Sequence, residues 1–272
     1  MKNLFLFLII VSQILLFTRS VMAEESQSRE NKARNIMQKV YDREDGDNRI
    51  SDMQMILIDK NGKKRIRELK GFSKDKGIDS LSLMFFTAPS DVKDTGFLSY
   101  DYDAAEQDDD QWLYLPALRK TKRIASGDKK GSFMGSDFSY GDMTKRSVSL
   151  YDYKILKEKK VRGHLTWVIE VVPKEQEIVD KYGYSKSVVF VRQDNYFTIQ
   201  AVHWVVKGKK LKYMQVSKLD LIDNIWVATE STMTTKKGKK TLHKTILKYD
   251  NLKFNQDLKP DFFSVRQLEK GF

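Results

Sequence analysis

Apolar and polar residues alternate in short runs along most of this chain. The segments Asp52 to Ile58, Arg65 to Phe72, Leu81 to Ala88, Gly96 to Tyr102, Gln111 to Leu115, His164 to Val172, Ser187 to Arg192, Phe197 to Val206, Lys210 to Ser217, Ile225 to Thr234 and Thr241 to Tyr249 are rich in β-branched and aromatic side chains, which predicts strands. The intervening Asn61-Gly62, Asp194-Asn195, Lys207-Gly208 and Lys237-Gly238 carry hairpin chemistry. One helical period precedes them: in SRENKARNIMQKVYD, residues 28 to 42, Ala33, Ile36, Met37 and Val40 share a face and Ser28 is a candidate N-cap. A turn of helix is expected around Glu175 to Asp180, and the terminal DFFSVRQLEKGF offers Phe262, Phe263, Val265 and Leu268 as docking side chains. So many hairpin-linked strands predict a mainly β fold, one antiparallel sheet curling toward a barrel, because an open sheet of this size must curl or split.

Several strands break the one-sided pattern. Leu81 to Phe86, Trp112 to Leu115 and Ala201 to Val206 are apolar on both faces, so both faces need a cover: helix, loop or ligand. Methionines 53, 55, 84 and 134 favour an adaptable apolar cavity over a filled core. For its lining on the concave face the expected contributors are Leu83, Phe85, Trp112, Tyr114, Trp167 and Trp204. The choice within each strand assumes a register that one residue would invert. Between Pro116 and Ser147 lies a long basic, glycine-rich and aromatic interval, and long loops in compact domains are commonly functional. Its Phe133, Met134, Phe138 and Tyr140 are the expected lid residues, with Gly127, Gly131, Gly135 and Gly141 supplying backbone freedom.

Residues 1 to 23 read as an export leader: Lys2 as the positive region, Leu4 to Phe17 as the apolar core and Val21-Met22-Ala23 as the cleavage site. Residues 24 to 272 would then be the mature domain, and a bacterial periplasm is the expected location. Among 272 residues there is no cysteine, which excludes a lipid-modified cysteine, disulfides and thiolate chemistry. Removing Lys2 and Arg19 takes the 49 basic residues to 47 against 37 acidic ones. In the periplasm that balance suits an anionic membrane surface or an acidic partner, not nucleic acid.

Enzymatic chemistry finds no support, and no cofactor is expected. Asp108 to Asp110 lack the alternation and glycine of a calcium loop and read as a solvated hairpin tip. His164, His203 and His243 come without a metalloprotease motif, so they are expected as ordinary strand residues with no metal and no catalytic role.

The QWLYLPALRKTKRI strand pair, the SDFSYGDM segment within positions 97 to 143 and the terminal FFSVRQLEKG resemble the LolA-like outer-membrane lipoprotein-sorting proteins. The resemblance spans the mature chain and implies an incomplete, strongly curved antiparallel barrel whose concave face is covered by an N-terminal helix, loops and short helices. It implies a periplasmic carrier for lipoprotein acyl chains or another lipid, moving cargo toward the outer membrane. The branch is often found with resistance-nodulation-division (RND-type) exporters of the inner membrane, so an adaptor subunit without cargo is the alternative. The family's ligand-gating arginine could correspond to Arg65, Arg67, Arg119 or Arg123.

Overall fold

A computed structural model describes residues 28–272; the expected leader and cleavage site, residues 1–23, lie outside the described residues. Thirteen strands form one sheet: β1 (Asn48–Asp59), β2 (Lys64–Lys76), β3 (Asp79–Ala88), β4 (Gly96–Asp101), β5 (Asp110–Leu115), β6 (Lys120–Arg123), β7 (Tyr151–Val161), β8 (His164–Pro173), β9 (Tyr184–Arg192), β10 (Thr198–Val205), β11 (Lys210–Ile222), β12 (Ile225–Lys237) and β13 (Lys240–Phe254). Helix α1 covers residues 28–41, α2 Gln176–Tyr182 and α3 Val265–Lys270.

The strands run β6-β5-β4-β3-β2-β1-β13-β12-β11-β10-β9-β8-β7. Every pairing is antiparallel, and among the described residues β6 and β7 remain unpaired edges, so the barrel is incomplete, as expected. This order explains the long interval in the sequence. The chain builds one half of the sheet outward from β1 to β6, then must reach the opposite edge before β7 to β13 can return to pair with β1. Residues 124–150 make that crossing, through short 3₁₀ turns at Ser126–Asp128, Phe133–Gly135, Tyr140–Asp142 and Val148–Leu150.

No strand is expected where β7 lies, because Lys157 to Lys160 read as a hairpin tip. Its edge position accounts for that polarity. Most of its residues are exposed, as they are in the shorter, more basic β6, and charged edges resist pairing with another chain.

Both faces of the sheet are packed. On the inner, concave face, Ala33, Ile36, Met37 and Val40 of α1 pack on Tyr153, Ile169, Val189 and Ala201. Beside them Phe133 and Phe138 of the crossing segment pack on Met55, Leu69, Phe86, Phe97 and Leu113. On the outer face, Phe263 and Leu268 cover Phe72, Leu83, Phe85 and Leu98. Gly96 lets α3 approach that closely, since a Cβ there would lie 2.5 Å from Leu268 Cδ1. No helix of the described residues is long and apolar enough to cross a membrane.

Candidate functional site

The two halves of the inner face are treated differently. Under α1 the side chains interlock, and a cavity of about 160 Å³ remains among Met37, Tyr151, Tyr153, Val171 and Tyr184. Under the crossing segment a larger cavity of about 270 Å³ lies over β1–β3 and β13. Its wall is soft: Met53, Met55, Met84 and Met143 line it with Leu247, and Phe133 and Phe138 close it. Unbranched thioether side chains repack around differently shaped apolar groups at low cost.

All four expected lid residues lie against this inner core. Phe133 and Phe138 are buried, while Met134 and Tyr140 pack partly buried against the same cluster. The rings of Phe133, Phe97 and Tyr140 meet edge to face, at 5.1 Å between Phe133 and Phe97 and 5.6 Å between Phe133 and Tyr140.

The six expected cavity residues are not brought together. Ladder register places Leu83 opposite Phe72 and Leu98, and Leu98 opposite Trp112, so these face outward under α3. Phe85 and Tyr114 share that side. Trp204, opposite Lys186 and Leu211, also faces outward, with the Lys186 ammonium 4.8 Å above its ring. Trp167 alone faces inward, beside α1, stacked on Tyr196 at 5.7 Å. Of the alternate residues, Met84 lines the cavity and Phe86 packs in the adjoining inner core, because in a strand apolar on both sides composition does not distinguish the two parities.

Polar side chains in the sheet tether the crossing segment. Arg67 Nη1 donates to Met134 O at 2.5 Å, which sets it apart from the other three arginines considered as gates. Asp137, almost fully buried, is the central bolt: its N–H donates to Thr245 Oγ1 at 2.9 Å, and its carboxylate accepts from Thr245 Oγ1 at 2.7 Å and from Thr235. His243 Nδ1 lies 2.6 Å from the same carboxylate. Gln111 Nε2 donates to Tyr140 O at 3.0 Å.

The acidic tip at 108–110 departs from expectation. Rather than being wholly solvated it is a mooring point, with Asp109 buried. The fully buried Lys129 donates to Asp108 Oδ1 at 3.0 Å and to Asp109 O at 2.8 Å, and Thr144 Oγ1 donates to Asp109 Oδ2 at 3.1 Å. Asp101 accepts from Lys145 N at 2.6 Å. Burial, reinforced by the charge of Asp109, pushes the Asp101 carboxyl up to about 7.

A second buried network joins the two halves. Asp142 accepts from Arg146 Nη2 at 2.6 Å and from Tyr184 Oη at 2.8 Å, and Lys212 Nζ donates to Tyr184 Oη at 3.2 Å. Burial alone would raise the Asp142 carboxyl; Arg146 and Lys212 outweigh it and hold it at about 2. His203 stacks on Tyr184 at 4.8 Å, with Ser187 Oγ 2.7 Å from its Nδ1. Burial drives its imidazole down to about 4, against the attraction of Asp142. His203 and His243 thus serve separate networks, and His164 is exposed. The long-range pairings among these anchors, Asp137 with Thr245, Lys129 with Asp108 and Asp142 with Tyr184, join residues 21 to 108 positions apart and leave no local signal in the sequence.

No curated protein sequence matches the chain. A family model described only as an uncharacterized protein matches residues 78–270. A DUF1329 family protein from Desulfovibrio piger is 29% identical, with a TM-score of 0.80 over 88% of this chain and 99% of that one. A Vibrio parahaemolyticus protein described as an outer membrane lipoprotein-sorting protein domain is 31% identical, also with a TM-score of 0.80 over 88% and 99%. A LolA superfamily protein from Nitrosomonas europaea, 18% identical with a TM-score of 0.62 over 89% and 98%, shares the fold. With its half-barrel, covered inner face and identity to a sorting protein over most of both lengths, the chain belongs to the LolA-like family of outer-membrane lipoprotein-sorting proteins.

Proposed function

We propose that the protein is a periplasmic carrier: it is exported, cleaved after Ala23, and holds the acyl chains of a lipoprotein or another lipid in the inner cavity on the way to the outer membrane. The observation that carries this reading is the methionine-lined cavity of about 270 Å³, closed by two phenylalanines of a tethered segment. Ligand sites for small molecules run to roughly 300–1,000 Å³, so a long acyl chain needs the cover to yield. The energies permit it. Burying a 16-carbon chain is worth on the order of 12 kcal/mol at ~0.8 kcal/mol per methylene. Withdrawing Phe133 and Phe138 forfeits about 1.5–3 kcal/mol each. Cargo therefore displaces the cover with free energy to spare, and the cover supplies a competing occupant that assists release. The sorting role described for the Vibrio parahaemolyticus relative supports this choice of cargo, and the excess of basic residues suits docking at anionic membranes during transfer.

Native mass spectrometry of the protein purified from its own envelope tests the reading. Lipid adducts are expected on the wild type, lost in Met55→Asp and Met84→Asp variants that melt cooperatively. A wild type without adducts that also takes up none from vesicles would overturn it, and an intact mass retaining residues 1–23 would overturn the soluble route.

A further inference from the structure

Ladder register places Arg49 opposite Ser73, Ser73 opposite Ser82 and Ser82 opposite Ser99. Residues directly opposite each other in antiparallel strands share a face. One arginine and three hydroxyls therefore form a straight polar row across β1–β4 on the inner face. The adjoining row, Ser51, Gly71, Met84 and Phe97, leads into the methionine-lined cavity.

The polar row borders two cavities at once. Arg49, Ser73 and Ser82 line both the methionine-lined cavity and a neighbouring polar cavity of about 230 Å³. Ser99 lines the polar one; it is 1% exposed, and its Oγ hydrogen-bonds to no group among the described residues. A buried hydroxyl without a partner is costly unless a bound group supplies one. Arg49 is half-buried, with its guanidinium 5.8 Å from the Tyr249 ring centroid and neither ion pair nor hydrogen bond to any other described residue. The other cations of the polar cavity are engaged: Lys145 with Asp45 and Lys74 with Asp47, both at 2.9 Å. Of its carboxylates, Asp142 is held by Arg146. Burial raises the Asp75 and Asp101 carboxyls, which weakens their repulsion of an entering anion.

We propose that this row is a headgroup shelf: the cargo is a lipid with an anionic oxygen head, carboxylate or phosphate, held by Arg49 and the hydroxyls of Ser73, Ser82 and Ser99, with its tail in the methionine-lined cavity. The proposal rests on the carrier reading above and narrows its cargo. A planar guanidinium matches either head through paired charge-assisted hydrogen bonds, and the serines satisfy the remaining oxygens.

Calorimetric titration of the mature chain with laurate, dodecyl phosphate and dodecanol, all below micelle formation, separates head from tail. The two anions are expected to bind about tenfold tighter than the alcohol. R49Q should collapse that ratio to near one, R49K should restore part of it, and S99A should reduce it less than R49Q. Thermal melts of each variant identify any that fails to fold, and S99A and R49K keep the test decisive if R49Q does. Equal binding of all three amphiphiles to the wild type, or an undiminished ratio in folded R49Q, overturns the shelf alone. Inorganic phosphate binding as tightly as dodecyl phosphate makes this a free-anion site and overturns the lipid assignment. Binding of none of the three amphiphiles overturns the carrier reading and the shelf with it.

Discussion

Strands β2–β5 carry two covers of opposite character. On the outer face Phe263, Leu268 and Phe262 settle onto Phe72, Leu83 and Phe85 in aromatic contact, with the rings of Phe72 and Phe262 4.9 Å apart, and α3 fits so closely that only glycine is accommodated at position 96. On the inner face a glycine-containing crossing segment lies over methionines, encloses a cavity and is tethered by discrete polar bonds. Dense apolar packing loses contacts with any displacement, whereas a cover on a few polar anchors can be freed by exchanging those bonds for water. The same strands thus combine a rigid back with a yielding front.

The contrast predicts separable losses. The largest effect is expected from Leu83→Ala, fully buried under α3, at about 2–5 kcal/mol of stability. Chemical denaturation should show that loss while lipid loading per folded molecule stays at the wild-type level; a parallel fall in loading would mean that the outer face contributes to the cavity.

Removing the central bolt comes next. Asp137→Ala leaves the Thr245 and Thr235 hydroxyls short of an acceptor and should cost about 1–3 kcal/mol. Hydrogen exchange should quicken in residues 126–143 and leave 262–270 unchanged. Lipid added to the wild type should alter the same window, and uniform exchange under both covers would erase the distinction between them.

The last prediction concerns pH. Because the folded state raises the Asp101 carboxyl to about 7 from an ordinary 3.8, it binds a proton more tightly than the unfolded chain. Its contribution is complete below the unfolded value and declines as pH rises from about 4 to about 7, with a slope of at most ~1.4 kcal/mol per pH unit. Asp101→Asn should flatten that decline in thermal melts across the window. Since Asp101 receives the Lys145 N–H, the change should appear first as slower exchange at the inner cover near neutral pH.

Much of this architecture is legible in the chain. Alternation and turn residues locate most strands, residues 28 to 42 read as the helix α1 observed over residues 28–41, and Phe133 and Phe138 announce a cover. What stays hidden is parity: with Leu83 and Phe85 as apolar as Met84 and Phe86, the side facing the cavity depends on register across four strands. Strand β7 escapes because an edge needs no alternation, and its lysines resemble a turn. Pairings such as Asp137 with Thr245 escape because residues more than a hundred positions apart share no local signal. The row from Arg49 to Ser99 is likewise four unremarkable residues until the ladder aligns them.

The crossing segment also has a mechanical meaning. Joining the two unpaired rims of an arc, it is a chord, and the contour length of residues 124–150 limits how far β6 and β7 can spread. A bulkier cargo must either straighten that chord or be refused, so lengthening it with inserted glycine and serine should widen the range of acceptable lipids, and shortening it should restrict the carrier to slimmer ones.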